Sequence, residues 1–191
     1  MKPLLIVGAS SFGQLMAVLA DDCSRSVAGF VDDTQTGPLV LGTSGDLGLE
    51  LPPAEFDLIL AIGYKHLQTR FRMFERLRAA GFHFPTLVHP TARVSSHAVV
   101  GKGCLIMAGT DIDAFTSIGN ACVLWPHVTV SHDNRIGHNT FISPAATLCG
   151  FVSVGPGSFI GANSTIVDGS TLGDGSFVKA ATRYHTANRT R

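Results

Sequence analysis

A period of six residues is the feature that most constrains how this chain folds. From Val94 to Val178 an aliphatic residue occupies every sixth position, fifteen times without interruption. A helix repeats its apolar residues every three or four positions and an isolated strand every two, so neither explains a step of six. Hexapeptide periodicity instead predicts a parallel β-helix. The aliphatic positions are Val94, Val100, Ile106, Ile112, Ile118, Leu124, Val130, Ile136, Ile142, Leu148, Val154, Ile160, Ile166, Leu172 and Val178.

A second period of eighteen residues is superimposed on the first. Small side chains follow most of the aliphatic positions after four residues, and glycines recur at positions 101, 119, 137, 155 and 173. Eighteen residues therefore make one coil with three flat faces, and each glycine marks the same place on successive coils. In such repeat architectures each unit buries its apolar side chains against its neighbours.

The first half of the chain has a different pattern. Apolar segments LLIV, VAGFVDD and FDLILAIG alternate with an amphipathic helix from Phe12 and a basic one from His66 to Ala80. Strands that alternate with helices predict a small parallel sheet. We therefore expect two domains, residues 1–88 and residues 89–191, with fold class α/β plus β-solenoid.

Two features of the first domain suit a nucleotide. The turn GASSFG places Gly8 to Gly13 at a helix N-terminus, where backbone amides and the helix dipole favour an anion such as phosphate. Asp32 and Asp33 end the second strand, where acidic residues often meet a ribose or base. A tight turn and a solvated strand end are the alternatives, because the turn lacks both the GxGxxG spacing and the lysine of a P-loop.

Composition excludes several classes of function. Fourteen basic residues balance fourteen acidic ones, so the chain offers no basic stripe for a nucleic acid. The apolar N-terminus is interrupted by glycines and fits a strand, turn and helix better than a signal peptide. No other segment approaches the length of a membrane span, so we expect a soluble, cytoplasmic protein. The four cysteines show no CxxC spacing, and we interpret them as reduced packing residues.

The segment VSHDNRIGHN, residues 130–139, carries candidate chemistry. His132 suits a general base, and the adjacent Asp133 suits a carboxylate that orients or stabilises its ring. Eighteen residues after His132 comes Gly150, so the neighbouring coil offers a backbone amide with no side chain, where an oxyanion could be stabilised. A packed corner histidine and a solvated aspartate are the alternatives.

A metal site is a second alternative for this segment. His127 and His132 are five residues apart, a spacing that also occurs in the γ-class carbonic anhydrases, which resemble this β-helix. A catalytic zinc site needs a third protein ligand. The resemblance places that ligand at Thr91, which is unsuitable, so we expect no metal.

Taken over nearly its full length, the chain resembles the sugar O- and N-acyltransferases of the sialic acid O-acetyltransferase and bacillosamine N-acetyltransferase type. The matching stretches are IVGASSFG, GFVDD, LAIGYK, LVHPTARVS, VSHDNRIG and GSFIGANSTIVDGSTLG. The resemblance implies a small Rossmann-like domain before a left-handed parallel β-helix, and assembly as a homotrimer. It also implies that acetyl-CoA lies along the coils between neighbouring subunits, and that the first domain holds a nucleotide-linked sugar.

The resemblance assigns roles to individual positions. His132 and Asp133 match the family's catalytic histidine and the acidic residue after it. The substrate-binding positions are Ser10, Ser11, Phe12, Asp32, Asp33 and Gly63, and the acetyl-CoA positions are Gly150, Ala162 and Ala180. Three departures stand out: Phe141 replaces a histidine that contacts acetyl-CoA, Ser11-Phe12 replaces a Gly-His pair, and the C-terminal KAATRYHTANRTR lacks the family's closing segment.

The function that these features favour is acetyl-CoA-dependent N-acetylation of a nucleotide-linked amino-deoxysugar in surface-glycan biosynthesis. O-acetylation of a sugar hydroxyl is the first alternative, because it needs the same base and oxyanion donor. A trimeric scaffold or nucleotide-sugar binding module without catalysis is the second. The expected small-molecule partners are the nucleotide sugar and acetyl-CoA.

Overall fold

The computed structural model describes residues 1–186 and divides into two compact units, Met1–Leu87 and the remainder from Val88. The C-terminal segment KAATRYHTANRTR, which differs from the family's closing segment, ends with residues 187–191. These five residues lie outside the described residues. Within the described part of the chain, no helix is both long enough and apolar enough to cross a lipid bilayer.

The first unit is a four-stranded sheet with two helices. Its strands are all parallel and lie in the order β3-β2-β1-β4. The predicted strands and helices are present, and β3 is an additional short strand. The elements are β1 (Leu4–Val7), α1 (Ser11–Asp22), β2 (Val27–Val31), β3 (Val40–Gly42), β4 (Asp57–Leu60), a 3-10 turn (Tyr64–His66) and α2 (Leu67–Ala79).

Tight packing at the first strand-to-helix turn requires glycine. A Cβ atom on Gly13 would collide with the carbonyl oxygen of Gly8, and one on Gly8 would lie 2.7 Å from the Ala61 carbonyl oxygen. Gly8 also has a φ of 114°, which side-chain-bearing residues rarely adopt. These two glycines bring the start of α1 close to the carboxyl ends of β1 and β4.

The second unit is a parallel β-helix of two-residue strands. Each strand pairs in parallel with the strand eighteen residues later, as Ile118 with Ile136 and Leu124 with Ile142. The strands are β5 (Leu87–Val88), β6 (Arg93–Val94), β7 (Val99–Val100), β8 (Leu105–Ile106), β9 (Asp111–Ile112), β10 (Ser117–Ile118), β11 (Val123–Leu124), β12 (Thr129–Val130), β13 (Arg135–Ile136), β14 (Phe141–Ile142), β15 (Thr147–Leu148), β16 (Ser153–Val154), β17 (Phe159–Ile160), β18 (Thr165–Ile166), β19 (Thr171–Leu172), β20 (Phe177–Val178) and β21 (Arg183–Tyr184).

These strands form three faces. Face I has the order β21-β18-β15-β12-β9-β6, face II β19-β16-β13-β10-β7 and face III β20-β17-β14-β11-β8-β5. The chain passes from face I to II to III and returns to I, so each coil has three corners. The aliphatic residue of each hexapeptide points inward. Together these residues form one buried apolar column. The predicted fold class is therefore confirmed.

Hydrogen bonds and glycines fix the corner between faces II and III. The Cys104 and Cys122 thiols are buried there and donate to the carbonyl oxygens of Gly119 and Gly137, at 3.1 and 3.2 Å. Within residues 1–186, none of the four cysteines forms a disulfide. A Cβ atom on Gly119 would lie only 2.6 Å from the backbone nitrogen of His138 in the next coil. The glycine period at positions 101, 119, 137 and 155 therefore follows from close contact with the backbone of the next coil.

Candidate functional site

The predicted base lies at the corner between faces I and II. His132 Nδ1 is 3.0 Å from Asp133 Oδ2, and both side chains are partly exposed, at 47% and 39%. A carboxylate only accepts hydrogen bonds, so Nδ1 carries the proton and donates to Asp133. The other ring nitrogen, Nε2, is then left with a lone pair that can accept a proton.

The backbone at this corner explains the pairing. Asp133 has a φ of 58°, in the left-handed region where aspartate and asparagine are enriched among side-chain-bearing residues. Phe151, one coil later in the same column, packs its ring edge-on to the His132 imidazole with centroids 5.2 Å apart. The ring of His132 is therefore held by a carboxylate on one side and an aromatic ring on another.

Gly150 lies directly beside the imidazole, as the eighteen-residue register predicts. A Cβ atom on Gly150 would lie 2.8 Å from His132 Cε1 and 3.0 Å from Nε2. The amides on either side are used by the fold, because Cys149 N donates to Ile166 O and Phe151 N donates to His132 O. The Gly150 N–H is therefore the candidate donor for an oxyanion next to the base.

Asn134 braces this corner from inside the β-helix and was not singled out by its sequence. Its side chain is fully buried; Nδ2 donates to Ser131 O at 2.8 Å, and Oδ1 accepts from Val152 N at 2.6 Å. These bonds join the strand end before His132 to the coil that carries Gly150. The signal in the sequence was a polar amide at an inward position that other coils fill with small or apolar residues.

Asp168 is a second residue that sequence reasoning missed. It lies one coil beyond Gly150, and its Oδ1 would be 3.1 Å from a Cβ atom on Gly150. The signal in the sequence was the eighteen-residue register, because one further step beyond Gly150 leads to Asp168. The column at this corner thus reads His132, Gly150, Asp168 on successive coils.

In the first unit, the predicted substrate residues all follow carboxyl ends of parallel strands. Ser10, Ser11 and Phe12 come after β1, Asp32 and Asp33 come after β2, and Gly63 comes after β4. Because β2, β1 and β4 are neighbours in the sheet, these ends share one edge. Ligands of open parallel sheets bind at this edge.

Asp32 organises the loop at that edge. Its Oδ2 accepts from Ala9 N at 2.8 Å, and its Oδ1 accepts from the amides of Thr34 and Gln35. Partial burial opposes ionisation, but the hydrogen bonds from Ala9, Gln35 and Thr34 outweigh it and lower the pKa of Asp32 to about 2. This carboxylate is therefore ionised and engaged by its own backbone.

Two shallow cavities adjoin the same loop. One of about 190 Å³ includes Ala9, Gln14 and Phe30 in its lining. The other, of about 350 Å³, is lined by Asp32 and Asp33 among others. Asp33 accepts hydrogen bonds from the amide and hydroxyl of Ser44, at 2.7 and 3.0 Å.

The predicted acetyl-CoA positions lie on two corners that border face I. Gly150 is at the corner between faces I and II, whereas Ala162 and Ala180 lie on successive coils at the corner between faces III and I. Phe141 is on face III, buried against Trp125 and Phe159 with centroids 5.9 and 6.0 Å away.

The two histidines considered for a metal lie at different corners. His127 is at the corner between faces III and I, where its Nδ1 would be 2.5 Å from a Cβ atom on Gly109. In residues 1–186, no group of three or more His, Cys, Asp or Glu side chains is arranged to hold a metal ion.

Comparisons with known proteins agree with both units. The family described as "PglD N-terminal domain" matches residues 3–77, and "Bacterial transferase hexapeptide (six repeats)" matches residues 97–132 and 135–168. A search of curated protein sequences finds no match.

Solved structures match almost the whole chain. The acetyltransferase domain of PglB from Neisseria gonorrhoeae FA1090 is 31% identical with a TM-score of 0.90, over 95% of this chain and 90% of that one. The same domain in complex with acetyl coenzyme A matches with 31% identity and a TM-score of 0.88, over 94% and 89%. PerB from Caulobacter crescentus, in complex with CoA and GDP-perosamine, is 29% identical with a TM-score of 0.88, over 95% and 87%. The chain therefore belongs to the PglD-type family of hexapeptide-repeat acyltransferases.

Proposed function

We propose that this protein is an acetyl-CoA-dependent N-acetyltransferase that acts on the amino group of a nucleotide-linked amino-deoxysugar used in surface-glycan biosynthesis. The observation that carries the proposal is the convergence of three groups at one corner: the proton-accepting Nε2 of His132, the Asp133 carboxylate on Nδ1, and the Gly150 backbone. The similar domain crystallised with acetyl coenzyme A and the similar protein crystallised with CoA and GDP-perosamine support the donor and the acceptor class.

The residues at this corner supply each need of acyl transfer. The acceptor nitrogen attacks the thioester carbonyl carbon, and the carbonyl electrons move to oxygen, where the Gly150 N–H can stabilise the charge. His132 Nε2 takes a proton from the attacking nitrogen, while Asp133 stabilises the resulting imidazolium. The carbon–sulfur bond then breaks, the amide forms, and the imidazolium returns its proton to the departing thiolate.

The absence of a side chain at Gly150 fits a bound thioester. Any Cβ atom there would fill the space beside His132 Cε1 and Nε2, where the acceptor amine and the acyl group must meet. We propose Gly150, Ala162 and Ala180 as acetyl-CoA positions, because all three lie at corners that border face I and none has a large side chain to obstruct an extended ligand.

We assign the nucleotide sugar to the edge of the first unit's sheet. Ser10, Ser11 and Phe12 open α1, where amides and the helix dipole favour a phosphate. Asp33 lines the adjoining cavity, and Asp32 holds the loop that shapes it. The role of Asp32 in this proposal is to order the site.

The proposal is tested by acetyl transfer to a panel of UDP-, dTDP-, GDP- and CDP-linked amino sugars, with GDP-perosamine among them. Release of free CoA is followed with a thiol reagent, and the acetylated product is identified by mass spectrometry. We expect transfer to an amino group of at least one member. Transfer only to hydroxyl analogues would establish the O-acetyltransferase alternative, and binding without any transfer would establish the scaffold.

A further inference from the structure

The Asp168 carboxylate lies near the base and has no role in the mechanism above. Its Oδ1 and His132 Nε2 lie 3.1 and 3.0 Å from one point, the Cβ position that Gly150 leaves empty. The distance between Asp168 Oδ1 and His132 Nε2 is therefore at most about 6 Å. A carboxylate oxygen and a ring nitrogen thus flank the same short gap above the Gly150 backbone.

Both atoms that flank this gap are hydrogen-bond acceptors. The carboxylate of Asp168 only accepts, and Nε2 of His132 accepts because Nδ1 donates to Asp133. A sugar hydroxyl has one hydrogen and can donate to only one of them. An amino group donates to both at once, and its protonated form also gains charge attraction from the carboxylate.

We infer that Asp168 is a specificity-determining residue that binds the acceptor's amino group opposite His132 and so selects amines over hydroxyls. This inference rests on the proposed function. An acceptor that arrives as an ammonium first loses one proton to solvent. Of its two remaining hydrogens, one stays bonded to Asp168 Oδ1, and the other is transferred to His132 Nε2 when the carbon–nitrogen bond forms.

The neighbouring corner of the β-helix offers an internal comparison. Between faces II and III, His138, Pro156 and Asp174 occupy the same eighteen-residue register as His132, Gly150 and Asp168. There His138 Nδ1 accepts from Asn120 N at 2.8 Å, so its ring faces the preceding coil. Proline also fills the position that glycine leaves open at the other corner. The gap between base and carboxylate therefore depends on Gly150.

The test compares Asp168→Asn with wild type on the amino sugar that the wild type acetylates, and on its analogue with a hydroxyl in place of the amino group. We expect kcat/KM for the amine to fall about 10- to 100-fold, the usual effect of losing a hydrogen bond to a charged group. Turnover of the hydroxyl analogue and acetyl-CoA affinity by calorimetry should be unchanged. Asp168→Glu should restore part of the loss.

Asp174→Asn is the matched control, since it removes the same charge from an exposed aspartate on the same coil and should behave as wild type. The inference is overturned if Asp168→Asn keeps wild-type kcat/KM for the amine. It is also overturned if acetyl-CoA affinity falls as far as kcat/KM, because Asp168 would then serve the donor. Failure of the wild type on every amine would instead refute the proposed function itself.

Discussion

At the scale of single residues, the surroundings of a side chain decide whether it is available for chemistry. His132 and His138 lie one hexapeptide apart, and both are exposed. The His138 ring accepts a backbone hydrogen bond and so joins two coils, whereas the His132 ring pairs with a carboxylate and leaves Nε2 beside Gly150. The residue-scale predictions therefore concern His132 and the groups around it.

Removal of the base should reduce turnover and leave ligand binding nearly unchanged. We expect His132→Ala to lower kcat by roughly 10²- to 10⁴-fold, the usual contribution of a positioned general base. Steady-state kinetics and calorimetry measure the two effects. Near-normal turnover by a well-folded His132→Ala protein would rule out this role.

Asp133→Asn should cost less than His132→Ala. The amide keeps an oxygen that can accept from Nδ1, but it loses the charge that stabilises the imidazolium formed during proton transfer. We expect kcat to fall while KM for both substrates stays within error. A loss as large as that of His132→Ala would show that Asp133 does more than support the ring.

A methyl group at position 150 should affect activity more than stability. The atoms that a Cβ on Gly150 would meet belong to the side chains of His132 and Asp168, and these can move. In contrast, a Cβ on Gly155 would lie 2.5 Å from the backbone nitrogen of Asp174. We expect Gly150→Ala to keep a near-wild-type Tm with strongly reduced turnover, and the control Gly155→Ala to lower Tm. Equal Tm losses would contradict the assignment.

At the scale of elements, polar side chains hold loops and corners in the positions that the sites need. Asn134 joins Ser131 to Val152 across two coils, and Asp32 joins the loop after β2 to the turn after β1. Each group bonds backbone atoms of two different segments. The loop after β2 provides the clearer test, because its hydrogen bonds lower the pKa of Asp32.

Asp32→Asn should make the protein less stable at neutral pH and less sensitive to acid. The folded-state pKa of Asp32 is lowered from 3.8 to about 2, so its stabilisation is present above 3.8 and is lost as the pH falls toward 2. After allowance for solvent screening we expect about 1 kcal/mol at pH 7. Denaturant unfolding from pH 7 to pH 2 measures it. A wild-type-to-variant difference that stays constant over this range would refute the linkage.

At the scale of the whole molecule, the single chain leaves aromatic side chains exposed near the candidate catalytic corner. Phe115 and Phe151 are 68% and 56% exposed, and they lie one coil before and one coil after Asp133. Large exposed apolar side chains that lie close together often mark interaction surfaces. We propose that the protein acts as a closed homotrimer, as the family resemblance implies.

The trimer is tested by light scattering and by the dependence of activity on protein concentration. We expect a stable threefold assembly. We also expect specific activity to fall when the protein is diluted until the trimer dissociates, because the proposed site is shared with a neighbouring subunit. Phe115→Asp should shift the assembly toward monomer, with Phe177→Asp as a control for loss of an exposed aromatic on face III. A stable, fully active monomer would remove the shared-site proposal.

The sequence by itself determined the β-helix, because only a coil of eighteen residues places fifteen aliphatic side chains in one interior column. It also determined the parallel sheet of the first unit, although β3, three residues long with little buried surface, had too weak a pattern to be found. The same register predicted that Gly150 lies beside His132, since equal steps along a regular coil give equal positions in space.

Only the tertiary structure decided which way each side chain turns at its corner. Periodicity places His132 and His138 in equivalent positions, but rotamer choice depends on the atoms of adjacent coils, and these differ at the two corners. Likewise, Asp32 could be assigned to a ligand or to a turn until its oxygens were found on the amides of Ala9, Thr34 and Gln35. A repeat fixes backbone positions, whereas side-chain hydrogen bonds depend on contacts between residues distant in sequence.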